Sequence, residues 1–180
     1  PLNQTGRQNA VKLNHVFNKI QIDHILSSPS LRAKETTEIV FPNLKTDISD
    51  NLKEMNFGVF EGYDYNYLSN HYPEIYNNWI YNPIDVIPPE SEPFVDFYKR
   101  VTMEFIKILT IGCDINIAVI THSGVIKTML HAAKHGIKSK IEIEIALEIL
   151  GQRIDPCSYS LITGGIDKQE IIETNKKSHQ

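Results

Sequence analysis

The sequence lacks the features that mark several classes of protein. None of its apolar runs approaches the roughly 20 residues that a membrane-spanning helix needs. It has no block of lysine and arginine, and 18 basic against 22 acidic residues leave a net charge of −4 and a pI near 6.0. These absences argue against a membrane and against nucleic acid as partners.

Cysteine is also scarce, and the two residues present, Cys113 and Cys157, show no CxxC or Cys/His ligand spacing. This usage is typical of a reducing compartment and predicts a cytoplasmic protein with two small buried thiols. His131 and His135 lie four residues apart on a predicted helix, without an HExxH pattern or a carboxylate at ligand spacing. We therefore predict that they pack at a helix end, and that the protein holds no metal.

The chain has 180 residues, of which 41% are hydrophobic and 22% are charged, as in an ordinary globular domain. A chain of this length buries roughly 70% of the surface that its unfolded form exposes. Strand patterns alternate with helix patterns along the sequence. We predict one α/β domain over residues 1–180, a three-layer sandwich whose mostly parallel sheet has helices on both faces and an antiparallel edge.

Apolar spacing and breaker residues place the elements of the first half. They are a helix over 5–20, a strand over 22–26, a helix ending near 40, a strand over 46–48 and an ordered loop over 52–62. Thr5 is the predicted cap of the first helix. Pro29 is predicted in the first position of the second helix, behind a serine cap.

The second half is predicted in the same way. Its elements are short helices within 64–81, a proline-rich loop over 83–93, a helix over 94–109, a strand over 115–121, a helix over 123–135, an ambiguous segment over 138–150 that favours helix, and a hairpin of strands 158–163 and 169–174. The strand over 115–121 is nearly continuous in apolar residues, which predicts cover on both faces. The aromatic residues within 64–81 could form a lid or fill a secondary core.

Three ionisable residues follow predicted strands. Arg32 lies in the first turn after the strand over 22–26, Glu54 follows the strand over 46–48, and His122 ends the strand over 115–121. In open α/β sheets the ligand binds beyond the carboxyl ends of the strands. We therefore expect these three side chains to meet at one edge of the sheet.

Each candidate suits the binding or cleavage of a phosphate. His122 precedes Ser123 and the free N–H groups of a helix N-terminus, an arrangement that binds anions. Arg32 is one of only four arginines against 14 lysines, and its planar fork matches phosphate oxygens. Burial of Glu54 in its partly apolar loop would favour the protonated form and make it a proton donor. The alternatives are a histidine that caps its helix, a solvated arginine and a surface glutamate. A serine hydrolase is excluded, because the flanking glycine of GxSxG is missing.

Five blocks of sequence, taken together, resemble the histidine phosphatase (phosphoglycerate-mutase-like) superfamily. In chain order they are residues 2–7 (LNQTGR), 27–33 (SSPSLRA), 52–62 (LKEMNFGVFEG), 94–101 (FVDFYKRV) and 120–126 (ITHSGVI). The loop around Glu54 and the stretch over 86–98 look most like the alpha-ribazole phosphatases of cobalamin biosynthesis. The segment over 62–93 would be the lid or substrate-loop excursion.

The resemblance implies a cofactor-independent phosphatase for a small phosphorylated metabolite, acting through a phosphohistidine. Arg32 would belong to the phosphate pocket, Glu54 would protonate the leaving oxygen, and His122 would be the second pocket histidine. Ser123 stands where glycine is commoner, and its backbone N–H would still bind the anion. The proline loop carries Glu-Ser-Glu-Pro at 90–93 where the family often has Gly-Gly-Glu-Ser.

The main departure concerns the nucleophile. The family's Arg-His-Gly tripeptide should precede residue 2, and it occurs nowhere in these 180 residues. We therefore expect that the first strand of the family fold is missing from this chain, and that the chain alone is inactive. Two alternatives stay open, a phosphoglycerate mutase and a non-catalytic phosphate-binding relative that has lost its nucleophile.

Overall fold

A computed structural model describes residues 1–111 and 114–177, in which helices alternate with strands in the predicted order. The helices are α1 (Gln4–Phe17), α2 (Leu31–Val40), α3 (Tyr65–His71), α4 (Pro73–Tyr81), α5 (Phe94–Thr110), α6 (Ser123–His135) and α7 (Ile143–Gly151). The strands are β1 (His24–Ser27), β2 (Asp47–Ile48), β3 (Ile117–Ile120), β4 (Ser158–Gly164) and β5 (Gln169–Lys177). Two 3₁₀ turns, Asp50–Leu52 and Gly58–Phe60, interrupt the predicted loop over 52–62.

β1 lies at the centre of a three-stranded parallel sheet with the order β2-β1-β3. In its register, Leu26 is opposite both Asp47 and Val119. The carboxyl ends of the three strands therefore lie at one edge of the sheet, as the candidate residues require. The predicted α/β class with a parallel sheet is confirmed.

Two hydrophobic cores cover the two faces of this sheet. One core joins α1 and α2 to β1 through Ala10, Leu13, Ile25 and Val40. The other is larger and is built from the strongly amphipathic α5 together with α6 and α7. Its fully buried aromatic members are Phe94, Phe97 and Tyr98. Helices thus pack on both faces, which is the predicted three-layer arrangement.

The predicted terminal hairpin is confirmed, and β4 and β5 pair antiparallel. Among the described residues they form a sheet of their own, whereas we expected an antiparallel edge of the main sheet. β3 differs too, because all four of its residues are half-buried rather than covered on both faces. The reason is that β3 pairs with β1 on one side only within the described chain. The hairpin still packs on the same cores as β3, through Tyr159 and Ile162.

Two predicted helix starts are wrong, both for reasons of capping geometry. Asn3, and not Thr5, caps α1, because its side-chain oxygen accepts a hydrogen bond from the Gly6 N–H at 2.8 Å. α2 begins after Ser30, so Pro29 lies outside the helix.

The segment over 64–81 forms two short helices, as predicted. Phe60 packs edge-on against Tyr76 and Trp79, and Phe57 also contacts Trp79. These contacts support a secondary aromatic core, while Tyr65 and Tyr81 remain exposed. The ambiguous segment over 138–150 is confirmed as helical from Ile143 onward, where α7 begins, and residues 138–142 are not helical.

Two further expectations concern thiols and membranes. Cys157 is a half-buried free thiol whose pKa is raised by burial; Cys113 lies outside the described residues. Within residues 1–111 and 114–177, no helix combines the length and the apolar composition needed to cross a bilayer.

Candidate active site

Arg32 and His122 meet at the carboxyl edge of the sheet. Arg32 is the second residue of α2, which follows β1, and His122 is the N-cap of α6, which follows β3. The Arg32 Nε donates a hydrogen bond to His122 Nδ1 at 3.2 Å. The predicted meeting of these two residues is therefore confirmed by direct contact.

The other nitrogen of the His122 ring is held by serines of the turn after β1. Its Nε2 lies 2.8 Å from Ser28 Oγ and 3.1 Å from Ser30 Oγ. Because Nδ1 accepts a hydrogen bond from Arg32, Nε2 carries the ring proton in the neutral tautomer. Burial, assisted by the charges of Arg32 and Arg100, lowers the pKa of His122 to about 4. The imidazole is therefore neutral at pH 7 and fixed at both nitrogens.

Arg32 is oriented by this imidazole and remains exposed. Within the described part of the chain, its two terminal nitrogens make no hydrogen bond, so they are free to bind an anion. Ser123 begins α6 beside it, and a backbone N–H in the first turn of a helix has no acceptor within the helix. The arrangement offers a guanidinium and a helix N-terminus to one negatively charged group.

Glu54 lies at the same helix N-terminus. Its two carboxylate oxygens are 3.2 and 3.1 Å from the Gly124 N–H, and Oε1 also accepts a hydrogen bond from the Met55 N–H at 3.1 Å. A Cβ atom on Gly124 would overlap Glu54 Oε1, so the glycine allows this close approach. All three predicted residues therefore lie at one edge. That Glu54 is the proton donor stays a prediction.

Arg100, on α5, is a residue that the sequence reasoning missed. Its guanidinium donates to the backbone oxygens of Asn51 at 2.9 Å, Lys53 at 2.8 Å and Glu54 at 3.1 Å. It also binds Glu92 through two hydrogen bonds, at 2.6 and 2.8 Å. Arg100 thus fixes the loop that carries Glu54. The available signals were the scarcity of arginine and the acidic end of the proline loop.

The proline loop is fastened to the Glu54 loop by backbone hydrogen bonds. The Val59 N–H donates to Pro89 O at 3.1 Å, and the Glu92 N–H donates to Asn56 O at 2.8 Å. Gly58 has a φ of +57°, and a Cβ there would overlap Pro89 O. The two loops are therefore held together as one unit.

The remaining histidines lie elsewhere. His24 begins β1 and therefore lies at the end of the sheet opposite the candidate residues. Its Nε2 is 3.3 Å from Asp47 Oδ2. His15 is exposed on α1, and His179 lies outside the described residues. Among the described histidines, His122 alone contacts Arg32.

A comparison with protein families finds a match to the histidine phosphatase superfamily (branch 1) over residues 1–176. Among curated proteins, the chain is 33% identical over 138 residues to phosphoglycerate mutase-like protein 4 of Arabidopsis thaliana, covering 74% of this chain and 60% of that protein. It is 28% identical over 133 residues to the adenosylcobalamin/alpha-ribazole phosphatase of Salmonella typhimurium, covering 72% and 65%.

Among solved structures, the alpha-ribazole phosphatase from Shigella flexneri superimposes with a TM-score of 0.83 at 24% identity. The alignment covers 98% of this chain and 84% of that structure. At this level of identity the likeness concerns the fold. The match spans 60% and 65% of the length of these two curated relatives.

Proposed function

Because the chain belongs to the histidine phosphatase superfamily, we propose that the protein removes the phosphoryl group from a small phosphorylated metabolite. One observation carries the proposal: an exposed arginine, held by a buried neutral histidine, lies beside a helix N-terminus at which a glutamate is anchored. This arrangement supports binding of a phosphate monoester next to a group able to exchange a proton.

Phosphoryl transfer depends mainly on positioning and on positive donors around the transferred group. The free Nη atoms of Arg32 and the Ser123 N–H bind the non-bridging oxygens in this proposal. His122 acts as a positioning residue while its Nδ1 holds Arg32. The charge of Arg32 stabilises the anion, with no metal or cofactor required by the scheme.

The resemblance supplies the covalent step. The phosphorus–oxygen bond of the ester breaks as a histidine nitrogen forms a bond to phosphorus, and Glu54 gives its proton to the leaving oxygen. Glu54 then takes a proton from water, whose oxygen attacks phosphorus and releases inorganic phosphate from the histidine. The position of the Glu54 carboxyl group supports this role, since it lies at the edge where Arg32 is exposed.

The nucleophile of this scheme belongs to an Arg-His-Gly segment that is not among these 180 residues. We propose that it ends a further strand placed beside β3. The half-buried side chains of β3, and the packing of both β3 and the hairpin on the same two cores, support such a neighbour. A strand parallel to β3 would end at the edge where His122 lies.

For the substrate, we propose alpha-ribazole 5'-phosphate, in the cytoplasm. The similarity to the Salmonella typhimurium protein supports this choice. A phosphoglycerate mutase is the second candidate, favoured by the 33% identity to the Arabidopsis thaliana protein. The short segment between Gly62 and Pro93 supports the phosphatase, because it leaves little chain to close the site against water.

The test is phosphate release by the full-length gene product, first from p-nitrophenyl phosphate and then from a panel that includes alpha-ribazole 5'-phosphate and 3-phosphoglycerate. Glu54→Gln should lower kcat by about 100-fold or more, the usual contribution of a general acid. Arg32→Ala should lower kcat/KM. Arg153→Ala is the matched control, because its side chain is 83% exposed and lies outside the site.

The outcomes separate the candidates. Transfer of phosphate between phosphoglycerates with little release would identify the mutase. Equal release by the wild type and by Glu54→Gln would contradict the role of Glu54, and no release above the uncatalysed rate by either would contradict the enzymatic proposal and favour a non-catalytic phosphate-binding protein. Release from phosphoglycerate but not from alpha-ribazole 5'-phosphate would reject only the proposed substrate.

A further inference from the structure

A cluster of metal-binding groups lies at the end of α6 that is remote from His122. His131 and His135 occupy successive turns of α6, and Glu148 of α7 contacts both. His135 Nε2 is 3.3 Å from Glu148 Oε1, and His131 Nε2 is 3.7 Å from Glu148 Oε2. One potential ligand atom from each residue lies within 4.8 Å of the other two.

The His131 ring is the unusual member of the cluster. The residue is only 3% exposed, and its Nδ1 is buried with no hydrogen-bond partner among the described residues. Its Nε2 is also too far from the Glu148 carboxylate for a hydrogen bond. Buried polar groups are almost always paired, and here neither ring nitrogen has a hydrogen bond among the described residues, which leaves Nε2, the nitrogen near Glu148, available as a metal ligand.

We propose that His131, His135 and Glu148 bind a divalent transition-metal ion of the Zn²⁺ class, with water as the fourth ligand. Two imidazoles and one carboxylate are a set that zinc accepts. A tetrahedral ion with bonds of about 2.0 to 2.2 Å places its ligand atoms about 3.3 Å apart. Glu148 is already 3.3 Å from His135 Nε2 through Oε1 and 3.7 Å from His131 Nε2 through Oε2, so the carboxylate must turn to bring one oxygen towards both imidazoles.

The surroundings of the cluster allow the remaining adjustment. The side chains of His135 and Glu148 are 36% and 48% exposed, so both can rotate and the ion can enter from solvent. His131 is the fixed ligand. Its Nδ1 lacks the acceptor that usually orients a metal-bound histidine, and loss of such a contact weakens binding about 10- to 100-fold. We therefore expect moderate affinity.

The site would join α6 to α7 and would not take part in phosphate chemistry. His131 lies nine positions after His122, which is roughly 14 Å along the helix. The sequence predicted no metal because no carboxylate accompanies the histidine pair locally. The missing ligand comes from the next helix, which only the fold brings into contact.

The experiment is a Zn²⁺ titration of the metal-free full-length protein, with a chromophoric chelator as competitor and thermal unfolding as a second readout. His135→Ala and Glu148→Gln should each weaken Zn²⁺ binding at least tenfold and reduce the rise in Tm that Zn²⁺ causes. His15→Ala and Glu144→Gln are matched controls, since both residues are exposed, with Glu144 on the same helix as Glu148. The controls should bind as the wild type does.

Both test side chains are partly exposed, so the variants should fold; thermal unfolding in the presence of EDTA checks this. Equal Zn²⁺ affinity of the wild type, His135→Ala and Glu148→Gln would overturn the proposal. So would weaker binding in His15→Ala to the same extent. Phosphate release in EDTA is a separate readout that does not bear on this site, so failure here leaves the proposed function unaffected.

Discussion

The two ends of α6 each carry a buried histidine, and the two residues have opposite surroundings. At the N-terminal end, His122 has a hydrogen-bond partner at each ring nitrogen, supplied by Arg32 and by two serines. At the C-terminal end, His131 has a buried Nδ1 with no partner in the described chain. Burial lowers the pKa of both residues.

This difference shows that burial alone does not indicate what a histidine does. The partners of His122 fix its tautomer and make it a support for Arg32. His131 has a carboxylate and a second imidazole near one nitrogen only, which leaves its bonding incomplete. At one end of the helix the protein supplies a partner to both ring nitrogens, and at the other it leaves Nε2 available for the proposed ion.

The largest loss of stability should come from removing Arg100, which holds the loop that carries Glu54 at the N-terminal end of α6. Arg100→Met removes a guanidinium that binds Glu92 and three backbone oxygens, leaving a mostly buried carboxylate without its partner. Breaking such a pair costs about 3 to 5 kcal/mol. Urea unfolding should show this loss of stability, while Arg153→Met, at an exposed ion pair, should change stability by less than about 1 kcal/mol.

Equal small losses in Arg100→Met and Arg153→Met would show that the loop carrying Glu54 holds its shape without the guanidinium. The structure at the N-terminal end of α6 would then depend on the hydrogen bonds of His122 alone.

The second effect is a pH dependence of stability that only the N-terminal end should show strongly. The pKa of His122 is lowered to about 4, whereas the ordinary value is 6.5. The unfolded chain therefore takes up a proton as the pH falls through 6.5, while the folded chain resists until about pH 4. Stability present above pH 6.5 should decline by about 3 kcal/mol between these two values.

Urea unfolding from pH 7 to pH 4 would measure this decline, with His122→Asn as the comparison. The variant should lack about 3 kcal/mol of the dependence, because its side chain does not titrate. His15→Asn should retain the wild-type slope, since His15 is exposed on α1. A parallel slope in His122→Asn and the wild type would contradict the buried neutral state.

The sequence was sufficient to place Arg32, Glu54 and His122 at one edge of the sheet. Their positions depend on local signals, namely apolar runs that end in a turn, and on the rule that parallel strands present their carboxyl ends together. The long helix α5 and the terminal hairpin could be predicted equally well, because periodicity and paired glycines are local properties of the sequence. Helix caps were harder to predict, since Asn3 and Thr5 are both good caps and only the backbone conformation selects between them.

Contacts between distant segments could not be predicted. Arg100 is one polar residue on an amphipathic helix, and three of its five hydrogen bonds depend on how a loop 46 to 49 residues away in sequence packs. Glu148 reaches the histidine pair only because α7 packs on α6. The same limit applies to β3, whose apolar sequence indicates cover on both faces while the described chain leaves it half-buried.

The smallest effect should come from His131→Leu in the presence of EDTA. Replacing an unpartnered polar group by an apolar group of similar size is nearly neutral, so stability should change by less than about 1 kcal/mol. His122→Leu, by contrast, would leave Ser28, Ser30 and Arg32 without their shared partner and should cost more. Urea unfolding of both variants makes the comparison direct. A loss in His131→Leu as large as that in His122→Leu, without metal, would mean that the two ends of α6 are equally complete. Added Zn²⁺ should widen the gap between the wild type and His131→Leu, because only the wild type gains stability from the ion.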